Sequence, residues 1–364
     1  MPLGDALQRS VEKLGEKAAS VPTLGTAYST GDVTGWMPSG LTPLDCAIGG
    51  GLPMGRISEL YSKEESEGKS SLALHFAASC QKAGGVVVWL ESEAALDKVR
   101  AKRMGLQLDK VVIYGPPTCE DGFAYIKNIV GNIREEADLK DVPVFIVWDT
   151  IAAAPIRAVK EEDNAYADGM TKKPRVIREA LQDLTLEFFN HKIHLLLVNH
   201  TYASLDRFGP KMITSGGRGI RNHSTTRIEL YRTGMIQDEK EQPIGIEVTF
   251  FIKKSKLCLP HRKAHLVLYG ENGFDEVMSM AKNFIEWGMS DMLKQAGGWY
   301  SAPGGKGGML KCRWKDLREQ VLGSPVTLQA WRAKFNSLWP LPKGREVDPK
   351  SGWVVPSPGA LTQD

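Results

Sequence analysis

Cysteine is scarce in this 364-residue chain, and its few copies are scattered. They are Cys46, Cys80, Cys119, Cys258 and Cys312. No two of them stand at the C-x-x-C spacing of a zinc ligand pair. This distribution argues against a disulfide framework and a structural zinc site, and it predicts a reducing compartment.

Signals for export and for membrane insertion are missing as well. The first residues, Met1-Pro-Leu-Gly-Asp5, lack the apolar core of a signal peptide. No apolar run is long enough to span a bilayer. We therefore expect an intracellular, cytoplasmic protein with no membrane partner.

The excess of one charge over the other is small. The 46 Lys and Arg residues against 43 Asp and Glu residues leave a formal net charge of +3 at pH 7. Any nucleic-acid site must therefore be a local patch. Hydrophobic residues make up 42% of the chain and charged residues 24%, which is typical of a globular protein. The length allows one large core and a smaller domain.

What the sequence does contain is a phosphate-binding pattern. A strand-like run, Arg56–Tyr61, leads through the polar loop Ser62–Glu67 to Gly68-Lys69-Ser70-Ser71 and a helical pattern. This is the order of a P-loop, in which backbone N–H groups and the positive end of a helix dipole face an anion. In such a loop Lys69 reaches the terminal phosphates, and the Ser70 hydroxyl is a ligand of Mg²⁺.

The pattern departs from the usual P-loop. Lys63 replaces the first glycine of G-x-x-x-x-G-K-[ST]. Glu64, Glu65 and Glu67 also place negative charge where a phosphate cradle favours neutral groups. Because Gly-Lys-Ser is common by chance, an ordinary helix start is the alternative interpretation of this stretch alone.

Two acidic residues downstream favour a nucleotide site. Glu93 follows a strand-like run over 86–91, and Asp149 follows another over 142–148. The carboxyl ends of parallel strands meet at one edge of a sheet, so both carboxylates should lie beside the P-loop. There Asp149 suits a contact to Mg²⁺-bound water, and Glu93 suits a base that orients an attacking water.

Several motifs in collinear order, over roughly residues 3–335, resemble the bacterial and phage RecA-type recombinase family. They are Gly-Gly-Leu-Pro-Met-Gly-Arg at 50–56 with the loop and helix after it, Glu91-Ser-Glu-Ala-Ala-Leu-Asp97, Asp149-Thr-Ile-Ala-Ala153, Asn199-His200, Thr214-Ser-Gly-Gly217, Lys254-Ser-Lys256 and Gly298-Trp-Tyr-Ser301. The resemblance implies an α/β fold with a RecA-like P-loop ATPase core, a mostly parallel central sheet, an N-terminal helix and a small α-rich C-terminal domain.

The chain divides accordingly into four expected regions. They are an N-terminal oligomerisation helix and linker over 1–34, an ATPase core over 35–270, a C-terminal domain over 271–339 and a disordered tail over 340–364. The tail is expected to be disordered because it is rich in Pro, Gly and Ser. By the resemblance, the N-terminal helix would dock on a neighbouring protomer.

Alternating hydrophobic patterns predict the elements of the core. The expected strands are 57–61, 86–91, 111–114, 144–149, 193–199, 227–231, 244–252 and 264–269. The expected helices are 70–83, 93–104, 119–137 and 174–190 in the core, with a helical pair over 274–296 and helices at 313–322 and 325–338 after it. Since no helical pattern separates the last three strands, we expect them to extend the sheet antiparallel.

Two long polar segments, 152–173 and 201–226, interrupt the alternation. Loops of this length are usually functional or disordered. The second holds glycines, which let N–H groups approach phosphates, and arginines, which neutralise them. A solvated basic loop is the alternative, but the resemblance implies two DNA-binding loops. The expected DNA-binding residues are Met170, Arg207, Lys211, Gly216, Gly217, Arg218 and Arg221.

The resemblance also implies a site for ATP and Mg²⁺. The nucleotide-binding residues would be Glu65, Ser66, Glu67, Gly68, Lys69, Ser70, Ser71, Asp97, Arg100 and Tyr269, with Ser70 and Asp149 at the metal. The catalytic residues would be Lys69, Glu93, His200, Lys254 and Lys256. The last two would reach the γ-phosphate of a neighbouring protomer, and His200 stands where the family has a glutamine that senses this phosphate. An ordinary strand-end histidine and lysines on an exposed strand face are the alternatives.

The predicted function is that of an ATP-dependent DNA recombinase. Such a protein is a DNA-dependent ATPase that forms a helical filament on single-stranded DNA, pairs it with homologous duplex DNA and exchanges strands. One alternative is a ring-forming DNA motor of the same ATPase fold. The other is a filament that coats single-stranded DNA and binds nucleotide through the altered P-loop with little hydrolysis.

Overall fold

The computed structural model describes residues 33–136, 139, 141–158, 166–190, 192–203, 212–304 and 308–357, without the side chains of 166–171 and 190. The predicted N-terminal helix therefore lies outside the described residues. Among the described residues, no helix is both long enough and apolar enough to cross a membrane.

A ten-stranded sheet forms the centre of the described fold. Six of its strands run parallel, in the spatial order β9 (Thr226–Gln237), β3 (Ile57–Ser62), β7 (Ile193–Ala203), β6 (Val144–Asp149), β4 (Val86–Glu91) and β5 (Val111–Tyr114). The antiparallel strands are β10 (Pro243–Ser255), β11 (Lys263–Tyr269) and β12 (Gly273–Asp275) beyond β9, and β8 (Met212–Thr214) at the end of β7. The predicted mostly parallel α/β sheet is confirmed.

Helices cover both faces of this sheet. On one face lie α2 (Lys69–Lys82) and α3 (Lys98–Arg103), and on the other lie α4 (Cys119–Glu135) and α5 (Tyr166–Asn190). Successive strand residues point to opposite faces, so the fully buried Trp89 packs with α2 while Leu90 packs with α4. A strand that is buried on both faces has a continuous apolar sequence, so the bounds of such strands can be predicted.

The expected direction of the last core strands is wrong for β9. It pairs parallel with β3, with Ser58 opposite Thr226. A short helix, α6 (Gly217–His223), lies between β7 and β9 and lets the chain return in the same direction. The sequence of α6 contains two glycines, which are poor helix formers, so this helix was predicted as part of a loop.

Two other helices differ in their bounds from the prediction. Helix α3 begins at Lys98 instead of residue 93, because the Asp97 side chain caps it by accepting from the N–H groups of Val99 and Arg100. Helix α5 begins at Tyr166, inside the segment predicted as the first long loop, and contains Pro174.

The residues after β12 form a mixed unit. Its helices are α7 (Glu276–Glu286), α8 (Trp314–Leu322) and α9 (Pro325–Leu338), beside an antiparallel sheet of β13 (Lys294–Ala296), β14 (Trp299–Pro303) and β15 (Met309–Cys312). Phe284, Trp331 and Phe335 form the centre of its core. The second helix expected within 274–296 is absent, since Gly288 takes a left-handed φ of 65° after α7 and β13 follows.

Residues 341–357, part of the tail expected to be disordered, are ordered against the core. Strands β16 (Arg345–Val347) and β17 (Val354–Pro356) form a hairpin that joins β1 (Trp36–Met37) and β2 (Leu52–Pro53). We call residues 345–356 the C-terminal hairpin. Trp353 and Val354 are each only 5% exposed, and this burial stabilises a segment whose Pro- and Gly-rich composition suggested disorder. The short helix α1 (Thr42–Ala47) packs against α7, α9 and β11.

All five cysteines are free thiols, as expected. Four are buried, and Cys258 is half-buried in the turn between β10 and β11. Burial raises the pKa of Cys46 and Cys80 to about 12 and that of Cys119 to about 11.

Candidate functional site

A cavity of about 590 Å³ lies where the carboxyl ends of β3, β4, β6 and β7 meet. The predicted residues that line it are Glu65, Ser66, Glu67, Gly68, Lys69, Ser70, Ser71, Glu93, Arg100 and His200. Asp97 caps α3 instead, and Tyr269 lines a different cavity beside α8. The structure therefore brings the P-loop, Glu93 and His200 together in one cavity, which neither Asp97 nor Tyr269 lines.

The turn before α2 requires glycine. Gly68 is the N-cap of α2 with a left-handed φ of 89°, and a Cβ there would lie 2.7 Å from the Phe274 ring. Ser66 also has a positive φ, 57°. This turn aims the N–H groups of the first turn of α2 into the cavity, where they favour an anion.

The Glu67 carboxylate is occupied by hydrogen bonds to the backbone. Its side chain is 4% exposed and accepts hydrogen bonds from the backbone N–H groups of Arg232, at 2.8 Å, and Glu64, at 3.2 Å. It thereby ties the P-loop to β9. The same contact occupies the Glu64 N–H, which is then not free to bind phosphate.

The Lys69 side chain lies within the P-loop. Its Nζ donates to Ser62 Oγ at 2.6 Å and lies 3.4 Å from the Glu64 carbonyl oxygen. Burial lowers the pKa of Lys69, and the nearby carboxylates of Asp149, Glu67 and Glu93 oppose that shift. The ammonium group is thus at the start of α2, beside the carboxylates.

Asp149 lies at the end of β6 and is 6% exposed. Burial raises its pKa to about 7, and the charges of Glu91 and Glu93 add to this, while a hydrogen bond with Ser70 opposes it. A buried carboxylate paired with a hydroxyl is a pair of oxygen ligands. This fits Mg²⁺, which binds proteins through one or two carboxylates and completes its shell with water and substrate phosphates.

Glu93 is held from two sides. Thr150 Oγ1 donates to Glu93 Oε1 at 2.6 Å, and His200 Nε2 lies 3.5 Å from the same oxygen. Burial, together with the neighbouring Lys69 ammonium, lowers the pKa of His200. Near pH 7 the imidazole is therefore neutral and can act as a hydrogen-bond donor.

A buried polar cluster connects this cavity to α6. Asn199 Nδ2 donates to Glu59 Oε1 and to the Ser215 carbonyl, both at 2.9 Å, and Asn199 Oδ1 accepts from the His200 N–H at 2.9 Å. Arg227 Nε donates to the other Glu59 oxygen. The sequence prediction missed Glu59 and Arg227, although opposite charges inside two apolar strand patterns were a usable signal for a buried pair.

The predicted DNA-binding residues divide into two groups. Gly216, with a φ of 83°, is the N-cap of α6, and the exposed Arg218 and Arg221 lie three residues apart on that helix. Gly217 is the first residue of α6. Met170 lies on α5, where its side chain is not described, and Arg207 and Lys211 lie outside the described residues.

Lys254 and Lys256 lie away from the cavity of their own protomer. Lys254 Nζ donates to the carbonyls of Arg221, at 2.6 Å, and Asn222, at 3.2 Å, at the end of α6. Lys256 Nζ lies 3.5 Å from the Asn222 carbonyl. Burial lowers the pKa of Lys254 to about 8, and the charges of Lys256 and Arg227 add to this shift.

Comparison with known proteins identifies the family. The family model of the RecA N-terminal domain matches residues 3–275. The RecA protein of Fusobacterium nucleatum is 33% identical over 270 residues, which are 73% of this chain and 67% of that protein. The RecA protein of Methylococcus capsulatus is 31% identical over 313 residues, 85% of each chain, and that of Francisella philomiragia is 31% identical over 327 residues, 88% of this chain and 85% of that protein. The chain therefore belongs to the RecA family of recombinases.

Proposed function

We propose that this chain is an ATP-dependent DNA recombinase that forms a helical filament on single-stranded DNA and exchanges strands with homologous duplex DNA. The observation that carries the proposal is one cavity lined by the P-loop and Glu93, with Asp149 hydrogen-bonded to the P-loop residue Ser70, in a member of the RecA family. A phosphate-binding loop, a metal-binding carboxylate and a second carboxylate for water are the parts that nucleotide hydrolysis needs.

In this proposal the triphosphate of ATP lies at the N-terminus of α2. Lys69 leaves Ser62 Oγ, 2.6 Å away in the described state, and binds the terminal phosphates. Ser70 and Asp149 hold Mg²⁺, which when bound neutralises charge on the phosphate oxygens. Glu93, held by Thr150, orients the attacking water and accepts its proton.

The cluster around Asn199 supports coupling between nucleotide and DNA. His200 lies at the cavity, and its own N–H is bound by the side chain of Asn199, which also binds the Ser215 carbonyl just before α6. A shift of His200 towards a γ-phosphate would therefore pull on the segment that carries Gly216 and Arg218. This gives DNA binding and ATP binding a shared set of hydrogen bonds.

Lys254 in β10 and Lys256 just after it support a nucleotide site shared between protomers. Lys254 and Lys256 bind carbonyls of α6 instead of facing their own cavity. In a head-to-tail filament each interface joins two different surfaces, so lysines of one protomer can complete the site of the next. Their role there would be that of an arginine finger, which stabilises charge on the transferred phosphoryl group.

The test is to measure ATP hydrolysis with and without single-stranded DNA, and strand exchange between circular single-stranded and linear duplex DNA. We expect DNA-stimulated hydrolysis, exchanged products and open helical filaments in electron micrographs. Filaments on DNA with neither hydrolysis nor exchange would instead support the DNA-coating alternative, which Lys63 and the occupied Glu64 N–H favour. Closed rings would support the motor.

A further inference from the structure

The C-terminal hairpin is tied to the core by one guanidinium group. Arg345 Nη1 donates to the Gly49 carbonyl and Nη2 donates to the Leu257 carbonyl, both at 2.7 Å. The guanidinium carbon also lies 3.9 Å from the centre of the Trp36 ring. Arg345 thereby joins three segments that are far apart in the sequence.

One of these segments directly follows Lys254 and Lys256 at the end of β10. Leu257 follows Lys256, whose backbone N–H donates to the Thr225 carbonyl at 3.0 Å. At the other end of the same turn, Arg262 Nη1 donates to the carbonyls of Cys46, at 3.1 Å, and Ala47, at 3.3 Å, at the end of α1. The turn is therefore held at both ends. On the side of Lys254 and Lys256, Arg345 holds it together with the Lys256 N–H.

The residues around the Arg345 side chain are closely packed. A Cβ on Gly49 would lie 2.9 Å from Arg345 Nη1 and 3.1 Å from Cys258 Cβ. A Cβ on Gly50, whose φ is 112°, would lie 2.6 Å from Val354 in β17. Glycines at these positions let the hairpin approach the backbone closely, so the contact of Arg345 is part of a fitted interface within the chain.

We propose that Arg345 is a positioning residue for Lys254 and Lys256. The inference rests on the proposed shared nucleotide site, because it concerns how those lysines are held for the neighbouring protomer. Arg345 touches neither nucleotide nor DNA in this proposal. It fixes the backbone one residue beyond Lys256, so that the two ammonium groups meet the neighbouring phosphates without first being ordered.

The test uses complementation between variants in mixed filaments. We expect Arg345→Ala to assemble on DNA and to lose on the order of tenfold in DNA-stimulated ATP hydrolysis, the effect of one or two lost charged hydrogen bonds. The matched control is Glu346→Ala, a change at the next, exposed residue of β16, which should hydrolyse ATP like the unchanged protein.

The decisive observation is which of the two variants, Glu93→Gln or Lys254→Ala, restores ATP hydrolysis when it is mixed with Arg345→Ala. Its own P-loop is intact, so mixing with Glu93→Gln should restore hydrolysis at about a quarter of random interfaces. Mixing with Lys254→Ala should restore no hydrolysis, because neither variant then supplies correctly placed Lys254 and Lys256 to its neighbour. A general loss of stability would not give Arg345→Ala the same pattern of recovery as Lys254→Ala.

The outcomes separate this inference from the function on which it rests. If Lys254→Ala and Glu93→Gln fail to complement each other, the shared site itself is wrong. If that pair complements but Arg345→Ala recovers with Lys254→Ala, or keeps full activity, the positioning role is wrong. If Arg345→Ala does not assemble on DNA, Arg345→Lys takes its place, because it keeps a cation beside Trp36. Arg345→Lys should lose less hydrolysis and should recover with Glu93→Gln but not with Lys254→Ala. Full activity of Arg345→Lys would overturn the proposal.

Discussion

His200 Nε2 lies 3.5 Å from Glu93 Oε1, so the residue that begins the path to α6 touches the residue proposed to orient water. The lowered pKa of His200 makes it a neutral partner near pH 7. A neutral glutamine could make the same contact. In the proposed function, this pair would place the response to DNA directly beside the carboxylate that orients water.

We therefore expect His200→Gln to keep most of the stimulation of hydrolysis by DNA, and His200→Ala to lose it while still binding ATP. The reason is that an amide can donate the hydrogen bond that alanine removes. The measurement is the ratio of ATP hydrolysis rates with and without single-stranded DNA. An unchanged ratio in His200→Ala would remove this residue from the coupling path.

Lys69 and Glu93 should fail in different ways. Lys69→Ala should lose nucleotide binding, because the ammonium group at the start of α2 is removed. Glu93→Gln should bind ATP normally and form stable filaments, while hydrolysis falls by on the order of 100-fold or more. Nucleotide titration and steady-state hydrolysis distinguish the two, and hydrolysis at the unmutated rate in Glu93→Gln would contradict the assignment of the base.

The exposed arginines of α6 should contribute through charge. Replacing Arg218 and Arg221 by alanine should weaken binding to all single-stranded sequences alike and reduce the slope of log K against log salt by about 1.4, or about 0.7 for each phosphate contact. Arg175→Ala is the matched control, since Arg175 is exposed on α5 and paired with Glu179 at 2.8 Å. A slope that stays the same would show that these arginines do not contact phosphate.

The pKa of Lys254, lowered to about 8, predicts that the rate of ATP hydrolysis falls at alkaline pH. The lysine is charged below this pH and loses its charge as the pH rises through it, so phosphate binding by Lys254 should be full below pH 8 and decline above. This fall should appear in kcat/KM, which reports the free protein. In Lys254→Arg it should move to higher pH, because guanidinium stays charged; a fall at the same pH would assign it to another group.

The C-terminal hairpin should contribute to stability. Trp353 is 5% exposed and packs in the main core, so Trp353→Ala should lower the free energy of unfolding by about 3–5 kcal/mol. Trp299→Ala, at a tryptophan that is 41% exposed, is the control. Urea unfolding measures both, and equal stability of the two variants would show that the hairpin is not part of the folded core in solution.

The parts of the fold that depend on local pattern were predictable. The buried strands and the P-loop helix are continuous or periodic apolar runs. The bounds of β3, β4, β6 and α2 agree with the structure within one residue, while β7 and β9 extend four and six residues beyond their predicted ends. Glu93 was expected beside the P-loop because strand ends meet at one edge of a parallel sheet. His200 was assigned to the site from the family resemblance.

Features that depend on distant partners were not predictable. The C-terminal hairpin is ordered by pairing of Val354 with Trp36, which lies at the other end of the chain. The charges of Glu59 and Arg227 inside apolar strands signalled buried polar partners, but joining these two residues required knowing that β3 lies beside β9. Helix α6 was hidden by glycines that packing tolerates, since Gly219 lies close against Arg178 of α5.

The different accessibility of the five thiols offers a way to measure the position of Lys254 and Lys256. Cys258 is half-buried in the turn that Arg345 holds, whereas the other four cysteines are buried. A maleimide fluorophore should therefore couple to Cys258 first, without removal of the other cysteines. Energy transfer between such a dye and a labelled nucleotide would test, in real time, the proposed approach of Lys254 and Lys256 of one subunit to the nucleotide of the next.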